Sequence, residues 1–170
     1  PHQYDRLHFH PEYQLSLILT GTGTAVIGNH IDPFRPGDAY FIGANVPHVF
    51  KNAPEHYQES PPVKSHIISL FFTAGSFGDG FFRLPEMTQV KAFLEASVRG
   101  VKLRPPLSER VREQIEAMER LTGATRLIRL LEVLNRMALS PEKEYLSEVK
   151  LELSEQPISH YPRLNKIFRY

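Results

Sequence analysis

Two imidazoles at i and i+2, in His8-Phe9-His10, point to the same face of any extended backbone. A third, His48, stands at the far end of a turn-delimited segment. Three neutral imidazoles brought to one point would form a site for a first-row divalent ion, because neutral imidazole is a good ligand for Zn, Fe, Ni or Cu. The same three groups, together with the nearby Gln14, would equally serve as a polar wall against a small molecule. They could also simply hydrogen-bond to one another, to Gln14 or to water. Seven of the eight histidines lie in residues 1–75, so imidazole is concentrated in the N-terminal part of the chain.

The elements that must position these groups are short β-rich runs at Tyr13–Thr20, Thr22–Ile27, Ala39–Ile42, His48–Phe50 and Ser65–Thr73, separated by Gly, Pro and Asn. Strands at that spacing predict an all-β barrel or sandwich. Gly28-Asn29 suits a two-residue hairpin turn and Pro36-Gly37-Asp38 marks another. Pro54–Pro62 reads as a surface loop. After a Gly-rich loop at Ala74–Gly80 the apolar period becomes helical. A first helix carries Met87, Val90, Phe93, Leu94 and Val98 and ends at Gly100. Ser108 is placed to N-cap a second, with Val111, Ile115, Met118 and Leu121, closed by Gly123. A third runs from about Thr125 to the Ser140-Pro141 stop. Its apolar stripe is too wide for one contact surface, so it is expected either to be sandwiched or to meet a second copy of the chain. Residues 142–162 read as linker with a short extended stretch at Val149–Leu153. Leu164, Ile167 and Phe168 open a new amphipathic pattern in Arg163–Tyr170 that is too short to stand alone.

Composition removes several classes. The chain has 170 residues, 41% hydrophobic and 23% charged, enough for one domain with an appendage. With no Cys there is no disulfide framework, thiolate metal site or thiol nucleophile, and a reducing compartment is permitted. No apolar run approaches the roughly 20 residues of a membrane helix. A net charge of +1 is too mild for a nucleic-acid-binding surface. The Gly21-Thr-Gly-Thr run lacks the Lys and following helix of a phosphate-cradling loop.

The spacing resembles the two motifs of the cupin family. His8-Phe9-His10, three residues, Gln14, six residues and Gly21 follow the first; Gly37, five residues, Gly43-Ala44-Asn45, Val46-Pro47, His48, three residues and Asn52 follow the second. Three identities depart: Gln14 stands for Glu, Gly43 for Pro and Asn45 for Gly. The phrases His8-Phe-His-Pro-Glu-Tyr-Gln-Leu, Gly21-Thr-Gly-Thr-Ala, Arg35-Pro-Gly-Asp and Asn45-Val-Pro-His48 further resemble the N-terminal sensor domain of AraC-type transcription regulators. That resemblance implies a cupin barrel followed by dimerising helices, a linker and a C-terminal domain with two helix-turn-helix motifs. Gln14 removes the one anionic ligand of the family's metal site, which lowers the expected metal affinity and the charge compensation that redox cupins use.

The expected architecture is mainly β with C-terminal helices: a cupin double-stranded β-helix barrel over residues 1–80, a dimerising helical segment over 81–140, and a linker with the start of a helix-turn-helix domain over 141–170. If His8 and His10 face inward and no bulge intervenes, Gln14, Ser16 and Ile18 share that face, and His48 with Phe50, and His66 with Ile68 and Leu70, extend it; a one-residue bulge inverts the assignment. The expected ligand-contacting set is His8, His10, Gln14, Ser16, His48 and Phe50. The metal set is His8, His10 and His48 with Gln14 as a weak fourth ligand. Glu12 reads as solvated at the strand mouth, and Phe77, Phe81 and Phe82 as an aromatic loop packed on the first helix. Leu127, Leu131 and Leu134, with Ile128 and Met137, form the expected dimer seam. The function implied is that of a cytoplasmic, effector-sensing and dimerising domain that performs no chemistry. Its partners would be a small molecule such as a sugar or organic acid, a second copy, and DNA only through the absent C-terminal domain, with no membrane contact. No cofactor is then required, and a divalent Zn, Ni, Fe or Mn ion would be adventitious or physiological. The alternative is a metal-dependent cupin enzyme, a dioxygenase or sugar isomerase, built on the three histidines.

Overall fold

The computed structural model describes residues 6–57 and 65–148. The expected elements at Val149–Leu153 and Arg163–Tyr170 lie outside the described residues, as does the end of the Pro54–Pro62 loop.

Antiparallel strands form two facing sheets. The larger contains β1 (Tyr13–Thr20), β4 (Ala39–Ile42), β6 (His66–Phe72), β7 (Val101–Leu103) and β8 (Lys143–Tyr145) in the order β6-β1-β4-β7-β8. The smaller contains β2 (Gly23–Ile27), β3 (His30–Phe34) and β5 (His48–Asn52) in the order β3-β2-β5. Three helices, α1 (Thr88–Ala96), α2 (Leu107–Met118) and α3 (Gly123–Leu139), pack on the outer face of the larger sheet.

Strand alternation divides the core in two. On β1 and β4, Leu15, Leu17, Ala39 and Phe41 point toward the helices, where they meet Phe93, Leu94, Val111, Ile115, Val133, Leu134 and Met137. Ile18, Tyr40 and Ile42 point the other way and pack with Ala25, Ile27, Phe34, Val46 and Phe50 between the sheets. Every residue of β4 is buried, as a strand covered on both faces requires.

A buried ion pair also joins the sheets. Lys102 Nζ on β7 donates to Asp32 of β3 at 2.5 Å and lies 3.3 Å from Asp38, while the Tyr40 hydroxyl donates to Asp32 at 2.5 Å. Burial pushes the Asp32 carboxyl up, but the hydrogen bonds from Lys102 and Tyr40 outweigh it and hold the group below the usual carboxylate range.

Several expectations need correction. β3 was not anticipated, because Asp32 and Pro33 weaken its strand character; Pro33 is tolerated there because β3 is the edge of its sheet. The Gly28-Asn29 turn does connect β2 to β3, with Ile27 opposite His30. β7 and β8 are three-residue strands recruited onto the edge of the larger sheet, so residues 143–145 are not linker. Ser108 does not cap α2: it lies inside the helix, buried, behind Pro106. Gly123 opens α3 rather than closing α2. Leu134 and Met137 are fully buried against the sheet in their own subunit and cannot form a seam. Leu127 (45% exposed) and Ile128 (57%) remain on the surface of α3, and Leu131 is half-buried.

Candidate functional site

The histidines meet at one end of the space between the sheets. Residues 8–10 do not belong to β1; instead His8 bridges to the start of β5, with its N–H donating to His48 O at 3.1 Å and the His48 N–H donating to His8 O at 2.8 Å. Opposed residues of an antiparallel pair share a face, so the rings of His8 and His48 lie 4.5 Å apart between centroids. The His10 ring is 5.0 Å from that of His48 and 5.8 Å from that of His8. One nitrogen from each ring lies within 4.8 Å of the others, the arrangement expected of three ligands to one ion.

The second-motif departures have steric reasons. Asn45 sits at φ 59°, in the left-handed region where Gly is easiest and Asn is the best-tolerated substitute. Its N–H donates to His10 O at 2.8 Å, which anchors the His8–His10 segment. A Cβ on Gly43 would fall 2.7 Å from the backbone of Ser97 and Val98, and the Gly43 N–H donates to Ser97 O at 3.2 Å. Proline would bring the clash and lose the donor.

All three imidazoles are oriented from behind by backbone carbonyls two residues away. Nδ1 of His8 lies 2.8 Å from Arg6 O, Nδ1 of His10 3.1 Å from Glu12 O, and Nδ1 of His48 2.8 Å from Val46 O. A carbonyl only accepts, so each Nδ1 carries the proton and, in the neutral ring, each Nε2 keeps its lone pair. His48 is only 1% exposed, and burial, reinforced by its two histidine neighbours against the Val46 hydrogen bond, pushes its pKa down to about 4. It is therefore neutral at pH 7.

Gln14 on β1 completes the group. Its Oε1 lies 2.8 Å from His48 Nε2 and 2.9 Å from His10 Nε2, and its Nε2 donates to Ser16 Oγ at 2.7 Å. Neutral Nδ1–H imidazoles direct lone pairs at that oxygen, the electrostatic pattern of a cation site. Turned over by 180°, the same amide donates its two N–H bonds to the two imidazoles and accepts from Ser16 instead. The Ser16 hydroxyl, 3.1 Å from that of Ser69, rotates to suit either arrangement. A glutamate at this position could not make the second arrangement. The donor set thus fits a divalent ion held by His8, His10 and His48 with an amide oxygen as neutral fourth ligand, and it also supports a fully hydrogen-bonded site made by the protein alone.

His8, His10, Gln14, Ser16 and His48 are brought together as the spacing implied. Phe50 is not with them: its ring packs on Phe34 and Tyr40 in the core between the sheets. The expected lining from His66, Ile68 and Leu70 is inverted. In the β1–β6 register Gln14, Ser16 and Ile18 stand opposite Phe71, Ser69 and Ile67, and the bulge between Ile18 and Thr20 lies beyond these pairs. Ser69 and Phe71, the latter 52% exposed with its ring 5.4 Å from that of His10, border the site instead. Glu12, read from the sequence as merely solvated, places its carboxylate 3.3 Å from His10 Nδ1. The aromatic loop does pack as expected, with Phe77 and Phe82 against the core shared with α1.

With this geometry in place, the comparison with family models adds that residues 1–56 match the one described as Cupin domain. This stretch is similar to a cupin domain. The match covers about a third of the chain and contains His8, His10, Gln14 and His48. No curated protein matches the sequence. The matched stretch contributes β1 to β5, while β6, β7, β8, α1, α2 and α3 lie beyond it. Among the described residues no helix is long and apolar enough to cross a membrane.

Proposed function

We propose that this protein is the effector-sensing and dimerising part of an AraC-like transcription regulator, with a small molecule bound where His10, Gln14, Ser69 and Phe71 border the cupin site. The observation that carries this reading is the Gln14 amide, which spans His10 and His48 at the position where the family's metal enzymes hold a carboxylate. The result is a neutral, hydrogen-bonded floor opening onto an exposed hydroxyl at Ser69 and an exposed ring at Phe71. Such a mixed lining suits a sugar or organic acid. Sensing requires the effector to bind two arrangements of the dimer unequally, and α3, with Leu127 and Ile128 exposed, is the proposed contact between copies. DNA contact belongs, on this proposal, to a helix-turn-helix domain of the full-length regulator.

A second reading, a metal-dependent enzyme, is favoured by the three Nδ1–H to carbonyl contacts, which orient the imidazoles as ion ligands. A divalent ion held by His8, His10, His48 and Gln14 would supply Lewis-acid polarisation of a bound oxygen. Metal analysis of protein made without a His tag separates the two. Stoichiometric iron or manganese supports the enzyme, whereas thermal stabilisation of the chelator-treated protein by a small molecule supports the sensor. The reading frame beyond codon 170 tests the regulator context: the sensor reading expects helix-turn-helix units there, and a stop codon would refute it.

A further inference from the structure

We infer that Glu12 supplies, through His10, the negative charge that residue 14 does not, so that ion binding at the three histidines depends on an outer carboxylate rather than a direct one. The inference rests on the site taking up a divalent ion, which either functional reading allows.

Nδ1 of His8 and Nδ1 of His48 each lie against a backbone carbonyl, 2.8 Å from Arg6 O and from Val46 O respectively. At His10 the Nδ1–H donates to Glu12 O at 3.1 Å, and the Glu12 carboxylate lies 3.3 Å from the same nitrogen. The same residue therefore fixes the tautomer with its backbone and places an anion behind the ring with its side chain. A carboxylate on the far nitrogen makes an imidazole a more basic ligand, and loss of such an outer partner typically weakens metal binding 10- to 100-fold. With Gln14 the inner donors carry no carboxylate, and Glu12 brings one to within 3.3 Å of a ligand ring from outside. An inner shell of three nitrogens and an amide oxygen favours Zn, Ni or Cu over the harder ions that need carboxylates. Glu12 is a positioning residue here, since it meets the ion only through His10. Its side chain is 39% exposed, so its replacement removes charge without opening the core.

The test uses untagged, chelator-stripped wild type, Glu12→Gln, Gln14→Glu and the double variant, titrated with Zn(II) or Ni(II) against a chromophoric chelator at pH 7.5. Thermal melts of the stripped proteins are run in parallel. Glu12→Gln keeps the backbone acceptor and hence the tautomer, so its affinity is expected to fall 10- to 100-fold with an unchanged melt. Gln14→Glu in the Glu12→Gln background is expected to restore binding to wild-type strength or better, because the charge then arrives directly. Equal affinity of Glu12→Gln and wild type overturns the role of Glu12 and leaves the ion site standing. A Glu12→Gln melt lowered in step with its affinity, or no rescue by Gln14→Glu, also overturns it. No binding by wild type overturns the inference together with the ion site it rests on.

Discussion

Acidification should destabilise this protein through His48, and the size of the effect follows from its burial. Denaturation returns His48 to an ordinary pKa of 6.5, whereas the folded protein holds it at about 4. A folded pKa below the unfolded one means that the unfolded state takes up the proton first, so stability is lost as pH falls below 6.5 and the loss levels off below about 4. At pH 5 the unfolded state gains RT ln(1 + 10^1.5), about 2 kcal/mol, while the folded state gains almost nothing. The full difference at lower pH is roughly 3.4 kcal/mol. With a urea m-value of about 2 kcal/mol per molar, the pH 5 penalty moves the midpoint by ~1 M. The assay is urea unfolding of chelator-treated wild type and His48→Gln at pH 7.5 and 5.0. Other titrating groups are common to both proteins and cancel in the double difference. Wild type should lose ~2 kcal/mol more than His48→Gln between the two pH values. Equal losses would show that His48 is not held neutral by burial, and the tautomer argument for the site would go with it.

The remaining predictions concern the fold, the seam and the amide. Lys102→Met leaves Asp32 and Asp38 without their buried cation and should cost about 3–5 kcal/mol by denaturant titration, with Asp32→Asn in the same background recovering part of it. Leu134→Ala should destabilise the subunit by about 2–5 kcal/mol, because Leu134 is wholly buried, whereas Ile128→Asp should leave thermal stability intact and weaken the proposed dimer, as measured by sedimentation velocity. A monomeric wild type at high concentration would remove the proposed seam. Gln14→Glu should bind Zn(II) more tightly than wild type yet melt lower when stripped of metal, since a buried carboxylate lacks the amide's donors to the two imidazoles; an unchanged melt would contradict the two-way role assigned to the amide.

Legibility of the site tracked how local each determinant is. His8, His10, Gln14, Ser16 and His48 were readable because strand alternation fixes same-face residues over short distances, and those residues do converge. Phe50 shares the inward face of β5 with His48 but lies further along the strand, where the space between the sheets is filled by Phe34 and Tyr40. Ser69 and Phe71 are not legible in the sequence because β6 reaches β1 across a long connection, and no local pattern fixes the register of that pairing. Glu12 looked solvated beside Pro11; only the fold of residues 8–14 brings its carboxylate behind His10. The helices were placed by apolar period, but which leucines of α3 are core and which are surface depends on where the sheet lies. Leu134 and Leu127 are equivalent in the sequence pattern and opposite in burial. β7 and β8, three residues each, are strands only because the edge of β4 offers β7 a partner and β7 in turn offers one to β8.

The most direct test of the sensor reading is ligand-observed proton NMR of a panel of neutral sugars and organic acids incubated with the untagged protein. The account predicts selective broadening of a ligand's resonances, lost in Gln14→Leu, with the ligand recovered chemically unchanged. Steady consumption of the bound compound and appearance of product would contradict it and establish an enzyme in its place.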